Sequence, residues 1–284
     1  MALSRVDAHH HLWDLARREQ PWLDGPELAP IRRTFAPEEF AAVAAAAGID
    51  RSILVQVLDD AEETREFLAV AEGSDVVAGV VGWTDLTAPG VSAALAALRE
   101  GPGGDRLVGI RHLVQGEADP RWLCRDDVRR GLTSVAEAGL CYDILTFPHQ
   151  LPAAIETARA LPQLTFVLDH LSKPPIAAGA LEPWATALRE LAAEPNVFCK
   201  LSGMVTEANQ GSWTVSDLRP YAQTALDAFG PDRLMFGSDW PVCLLAASYD
   251  RVAEAARELT DQLSADELAQ VFGGAAARAY RLKL

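Results

Sequence analysis

A chain of 284 residues with 49% apolar content can bury one large core, and its ordinary charged fraction excludes a disordered chain. A net charge of -15 excludes nucleic acid and anionic membrane surfaces as partners, because an acidic surface attracts neither. The N-terminus carries no apolar leader and no run spans a bilayer. Cys124, Cys141, Cys199 and Cys243 form no C-x-x-C pair, so a cytoplasmic protein with buried free thiols is expected.

Strand-like runs rich in Val, Ile, Leu and Phe fall at 5–11, 52–58, 76–83, 107–113, 141–147, 165–170, 197–202 and 234–239. Helical segments alternate with them at 37–47, 61–72, 91–100, 126–138, 152–160, 183–193, 216–229 and 248–259. The first helix has Pro37 in its opening turn and Gly48 at its end. Ser264 and Glu267 form a capping-box pattern that opens one more helix. Eight strands alternating with helices predict an α/β fold: a (β/α)8 TIM barrel forming a single domain over 1–284. The alternative, an open doubly wound sheet, would normally carry a glycine-rich phosphate loop, and the sequence has none. Two long connections, 12–36 and 203–215, leave strand C-terminal ends, the face where barrel active sites sit.

The histidines concentrate the chemistry. Alternate strand residues share a face, so His9 and His11 point one way and His10 the other. His170 ends the sixth strand run and Asp239 the eighth. Barrel closure makes the eighth strand a neighbour of the first, which brings Asp239 beside His9 and His11. Three imidazoles and a carboxylate at one rim suit zinc or a similar divalent ion. A lone histidine at a strand end is more often a hydrogen-bonded core residue; four such groups on one face make a site.

The segments Val-Asp-Ala-His-His-His-Leu-Trp-Asp, Leu-Asp-His-Leu-Ser-Lys-Pro and Phe-Gly-Ser-Asp-Trp-Pro resemble the amidohydrolase superfamily. Gly-Ile-Arg-His-Leu-Val-Gln, Phe-Pro-His-Gln-Leu-Pro and Lys-Leu-Ser-Gly are similar to its sugar-lactonase branch, which includes L-fuconolactonase-like, L-rhamnonolactonase-like and pyrone-dicarboxylate lactonase-like enzymes. The resemblance implies that His9, His11, His170 and Asp239 are both the catalytic set and the metal ligands, with Asp239 handling the proton of the attacking water. Binuclear relatives bridge two metals with a lysine or glutamate on strand four. Arg111 and His112 stand there instead, so one divalent metal, zinc first, or none is implied.

The expected reaction is hydrolysis of a sugar lactone, a small-molecule substrate, to its hydroxy acid. A metal-dependent decarboxylase on the same scaffold is the alternative, and a barrel that binds a sugar acid without turnover is the third reading. Arg111, His112, His149, Lys200, Trp83 and Tyr142 are the expected substrate-binding residues. Arg111 could instead pair with a barrel acid such as Asp143. Lys200, inside an apolar strand, is expected to face the barrel mouth with acidic or substrate partners. Lys173 is expected at the surface, while Trp13 and Trp240 are further aromatic candidates, with plain packing as the alternative to sugar contact. A homodimer is the assembly to test.

Overall fold

The computed structural model describes residues 4–283. Eight parallel strands stand in sequence order: β1 (Val6–His10), β2 (Arg51–Val55), β3 (Val77–Gly82), β4 (Leu107–His112), β5 (Cys141–Ile144), β6 (Phe166–Leu168), β7 (Val197–Leu201) and β8 (Leu234–Phe236). Backbone bonds from His11 N to the Trp240 carbonyl (2.7 Å) and from Asp239 N to the His9 carbonyl (2.8 Å) join the last strand's exit to the first. That closure makes the fold a (β/α)8 barrel and removes the open-sheet alternative.

Helices α1 (Pro37–Ala46), α2 (Ala61–Glu72), α3 (Val91–Glu100), α4 (Asp126–Glu137), α5 (Leu151–Ala160) and α6 (Trp184–Ala192) lie between successive strands. The short α7 (Met204–Glu207) and long α8 (Val215–Phe229) follow β7, and α9 (Tyr249–Leu259) follows β8. The sequence marks their starts: Asp60 accepts a bond from Glu62 N, Ser248 from Arg251 N, and Ser264 closes its capping box with Glu267. Among the described residues, no helix is long and apolar enough to cross a membrane.

Alternation along the strands produces two apolar layers. Phe40, Phe67, Leu95, Leu132, Leu188 and Leu226 of the helices pack on outward residues such as Leu54, Ile110, Ile144 and Phe236. Val6, Ala8, Ile53, Val55, Val81, Val167 and Met235 fill the barrel interior with Ala275, Ala276, Ala279 and Tyr280 from the C-terminal segment. That segment comprises α10 (Ala265–Ala269), a π-helical turn (Gln270–Gly274) and α11 (Ala275–Ala279). The lower barrel is therefore packed with apolar side chains, and the polar inward side chains lie above them, toward the C-terminal rim.

Three strand ends depart from the expected boundaries where the chemistry sits. β1 carries one extra residue between Asp7 and His10 relative to β2, a bulge that resets the alternation. β6 stops at Leu168, and His170, Leu171, Ser172 and Lys173 follow in consecutive left-handed conformations. β8 stops at Phe236, and Asp239 is also left-handed, at φ 58. Each left-handed non-glycine residue costs roughly 1–2 kcal/mol, so the surrounding packing must hold these turns in place.

Candidate active site

The bulge turns His9 into the barrel beside His11, while His10 faces outward, stacked on Phe40 with ring centroids 3.6 Å apart. His9 Nε2 and His11 Nε2 lie 3.0 Å apart. Asp239 Oδ1 is 3.6 Å from His11 Nε2, 3.8 Å from His170 Nε2 and 3.9 Å from His9 Nε2. The expected quartet therefore converges on one centre. His9 is fully buried, whereas His11 (6%), His170 (5%) and Asp239 (4%) each show solvent an edge, so a substrate can approach only from the mouth.

Groups outside the quartet aim it. His11 Nδ1 faces the Val55 carbonyl at 2.8 Å, which leaves its Nε2 lone pair toward the centre, and His170 Nδ1 faces Ser202 Oγ at 2.8 Å, a hydroxyl that can accept the ring proton and free Nε2 likewise. Asp7, on the outer face of β1, accepts bonds from Ser238 N (2.8 Å), His9 N (3.1 Å) and the Tyr249 hydroxyl (2.9 Å). It thus clamps the bulge to the turn carrying Asp239. Burial raises the Asp7 carboxyl to about 6 despite these bonds. Sequence reading missed Asp7, although an acid within an apolar strand signals a need for partners.

Burial lowers His170 to about 4, against the pull of Asp239 and Asp169, and burial with help from Lys200 holds His9 well below its usual range. Both imidazoles are neutral at neutral pH. Burial disfavours the Asp239 carboxylate, but His170 and His11 outweigh it and hold the group below the usual range. His9, His170 and Asp239 offer ligand atoms within 4.8 Å of one another, and His11 Nε2 lies alongside. With Nδ1 of His11 and His170 already engaged, this donor set fits one divalent ion.

A salt-bridge layer lies beneath the quartet. Lys200 Nζ is 2.6 Å from Asp143 Oδ2 and 2.8 Å from Asp169 Oδ1. Asp143 also accepts from the Tyr280 hydroxyl at 2.8 Å. Arg111 donates to Asp169 Oδ2 at 2.9 Å and to the Gln56 side-chain oxygen at 3.1 Å. Burial opposes the Asp169 carboxylate, but Lys200, His9 and Arg111 hold it well below its usual range.

These contacts correct several expectations. Lys200 does have acidic partners, but it is fully buried, so no substrate reaches it. Arg111, 2% exposed, pairs with Asp169 rather than Asp143, and its bonded nitrogens are spent inside the protein. Tyr142 is fully buried on the outer face of β5, against Phe166, because Asp143 takes the inward position. His112 points away from the barrel axis: it stacks on Trp122, faces Glu117 Oε1 at 2.7 Å and accepts from Trp83 Nε1 at 3.2 Å. Trp13 (4%) and Trp240 (1%) are packing residues in an aromatic cluster with Phe35.

The rim contains what those residues do not supply. Lys173, expected at the surface, lies 3.9 Å from Glu207 on α7 and 5.5 Å from the Phe147 ring, and its charge acts on both His170 and Asp239. Phe147, which the sequence did not single out, is 38% exposed, and His149 is exposed beside it. The loop that carries Glu207 also shapes the site through Gly203. A Cβ there would lie 2.7 Å from the His170 ring, and φ is +66. Gly203→Ala is expected to displace His170, reducing turnover about 10- to 100-fold and stability by roughly 1–2 kcal/mol; paired kcat/KM and melting measurements check it.

The chain has known relatives along its whole length. The family model for amidohydrolases covers residues 6–282. The chain belongs to the amidohydrolase family. This amidohydrolase is 42% identical over 293 residues to an L-fucono-1,5-lactonase of Burkholderia multivorans, covering 99% of this chain and 97% of that protein. It is 39% identical to an L-fucono-1,5-lactonase of Burkholderia ambifaria, covering 98% and 96% of the two chains. A crystal structure of a Burkholderia multivorans amidohydrolase with bound zinc superposes at a TM-score of 0.91, with 42% identity and coverage of 98% and 99%.

Proposed function

We propose that the protein hydrolyses a sugar lactone to its aldonic acid, with L-fucono-1,5-lactone the first substrate to test. The observation that carries this reading is the Asp239 carboxylate, 3.6 to 3.9 Å from three imidazole nitrogens at the rim of a buried barrel. Two relatives similar along the whole chain are L-fucono-1,5-lactonases, which leaves the decarboxylase alternative with less support.

In this reading Asp239 is the proton carrier. It is ionised and beside the carbonyl position, so it takes a proton from water as the water oxygen attacks the lactone carbon. When the ring C–O bond breaks, Asp239 returns that proton to the departing ring oxygen. The product is a hydroxy acid, which ionises and releases one proton to solvent. Of the imidazoles of His9, His11 and His170, one that carries its proton on Nε2 can donate to the carbonyl oxygen as negative charge develops there, whereas a bare Nε2 is an acceptor that suits a metal instead. A divalent ion held by these histidines and Asp239, with zinc the first choice, would supply Lewis-acid polarisation of the carbonyl and a more acidic water. At the rim, the exposed face of Phe147 suits a sugar ring, and Lys173 suits its hydroxyls and the product carboxylate.

A panel of aldono-1,4- and aldono-1,5-lactones followed with a pH indicator tests the proposal. Enzyme-dependent proton release is expected, fastest with the L-fuco configuration. A panel that releases no protons above the spontaneous rate removes the reading.

A further inference from the structure

Lys200 Nζ has a third neighbour besides its two carboxylates: His9 Nδ1, at 3.0 Å. An ammonium group has hydrogens to give and no lone pair to offer. His9 Nδ1 is therefore the acceptor, and the single proton of this neutral imidazole sits on Nε2. That nitrogen lies 3.0 Å from His11 Nε2. His11 gives its own Nδ1–H to the Val55 carbonyl at 2.8 Å, so its Nε2 is free to accept. The donors and acceptors match along the run: Lys200 to His9, His9 to His11, His11 to Val55.

A metal on His9 Nε2 needs the opposite tautomer. The ring proton must then occupy Nδ1, where it confronts the Lys200 ammonium. The other acceptor at hand is Asp169 Oδ1, 3.4 Å from His9 Nδ1. Although buried and ion-paired, that oxygen has no aligned hydrogen-bond donor. His9 thus has two alternative partners, and each dictates a different tautomer. His11 has no such choice, because the Val55 carbonyl can only accept its Nδ1–H, and His170 meets no cation at Nδ1, since the Ser202 hydroxyl there can accept a ring proton. Arg111 Nη1, 3.4 Å from His9 Nε2, is also a donor and pulls toward the other tautomer, but it lies farther off than the 3.0 Å from Lys200 to Nδ1, and its charge opposes a cation at Nε2.

We propose that Lys200 is a positioning residue that fixes the tautomer of His9, so that lysine and metal compete for this one imidazole. With Lys200 engaged, His9 presents an N–H to the centre and can donate to the substrate carbonyl. With a divalent ion engaged, His9 gives its Nδ1–H to Asp169 and releases Lys200. The four-residue donor set therefore binds a divalent ion more weakly than its composition alone dictates, and Lys200 is the reason. This rests on the reading of the quartet as carbonyl-facing, but it is tested without turnover.

The experiment labels histidine imidazoles with nitrogen-15 in the full chain after treatment with a chelator, and assigns His9 by the signals lost in His9→Gln. Long-range proton–nitrogen spectra are expected to show His9 protonated on Nε2, and added zinc to move the proton to Nδ1. A His9 protonated on Nδ1 before zinc is added overturns the proposal, as does a zinc-loaded protein in which the Nε2–H form persists. In Lys200→Met the Nδ1–H form is expected without zinc. Competition with a chromophoric chelator is expected to show roughly ten-fold or tighter zinc binding in that variant, and unchanged or weaker binding overturns the proposal. The wild-type spectra decide the matter even if Lys200→Met fails to fold. A protein with the expected tautomers that opens no lactone keeps this inference and removes the proposed function instead.

Discussion

Asp239→Asn is expected to lower lactone turnover by about two to four orders of magnitude, the usual worth of a positioned proton carrier. The amide preserves shape and burial but can neither take a proton from water nor return it to the ring oxygen. The loss should fall on kcat rather than KM, because the side chain handles a proton and does not hold the sugar. Stability should change little. The carboxylate lies at the solvent-facing edge of the quartet, 4% exposed, and among the described residues it pairs with no buried lysine or arginine that would be stranded. Progress curves on the best lactone, paired with circular dichroism and thermal melts, check both halves. A variant within ten-fold of wild type would remove Asp239 from the mechanism.

Arg111→Met is expected to act on the fold. The guanidinium is 2% exposed and neutralises Asp169, which is fully buried. Removing one partner of a buried ion pair leaves the other charge uncompensated, at a cost of roughly 3–5 kcal/mol. For a domain of this size that corresponds to a melting temperature lower by roughly 10 °C. Lys200 still pairs with Asp169, which keeps the loss from being larger. A residue that gripped the substrate would behave differently: KM would rise while the melt stayed put. A normal melt with a raised KM would return Arg111 to the substrate.

The barrel was legible because parallel strands covered on both faces read as apolar runs, and the helices between them start with recognisable caps. The quartet was legible because a His-x-His pair in a strand and an acid at the end of the last strand acquire meaning once the barrel closes. Other features were hidden for physical reasons. The choice of Asp169 over Asp143 as the partner of Arg111 depends on which inward side chains meet across the barrel axis, and sequence order carries no such distance. Lys173 was placed at the surface because nothing in Leu-Ser-Lys, which lacks glycine, announces a left-handed turn that brings the amine near Glu207 and the Phe147 ring. Tyr142 is different: period-two alternation already sets it on the face opposite Asp143, so its outward position could have been read. Phe147 became visible only as an exposed aromatic at the rim.

Closure of the barrel has a consequence for how function is acquired during folding. The bond from Ser238 N to Asp7 joins residues 231 positions apart, and Asp239 meets His9 and His11 only across that seam. Contacts of such separation carry a large loop-closure entropy and form late. A partly folded chain can therefore hold most of its strands and helices and still have no catalytic centre. Activity in this protein therefore reports the meeting of its first and last strands at that seam rather than the amount of structure already formed.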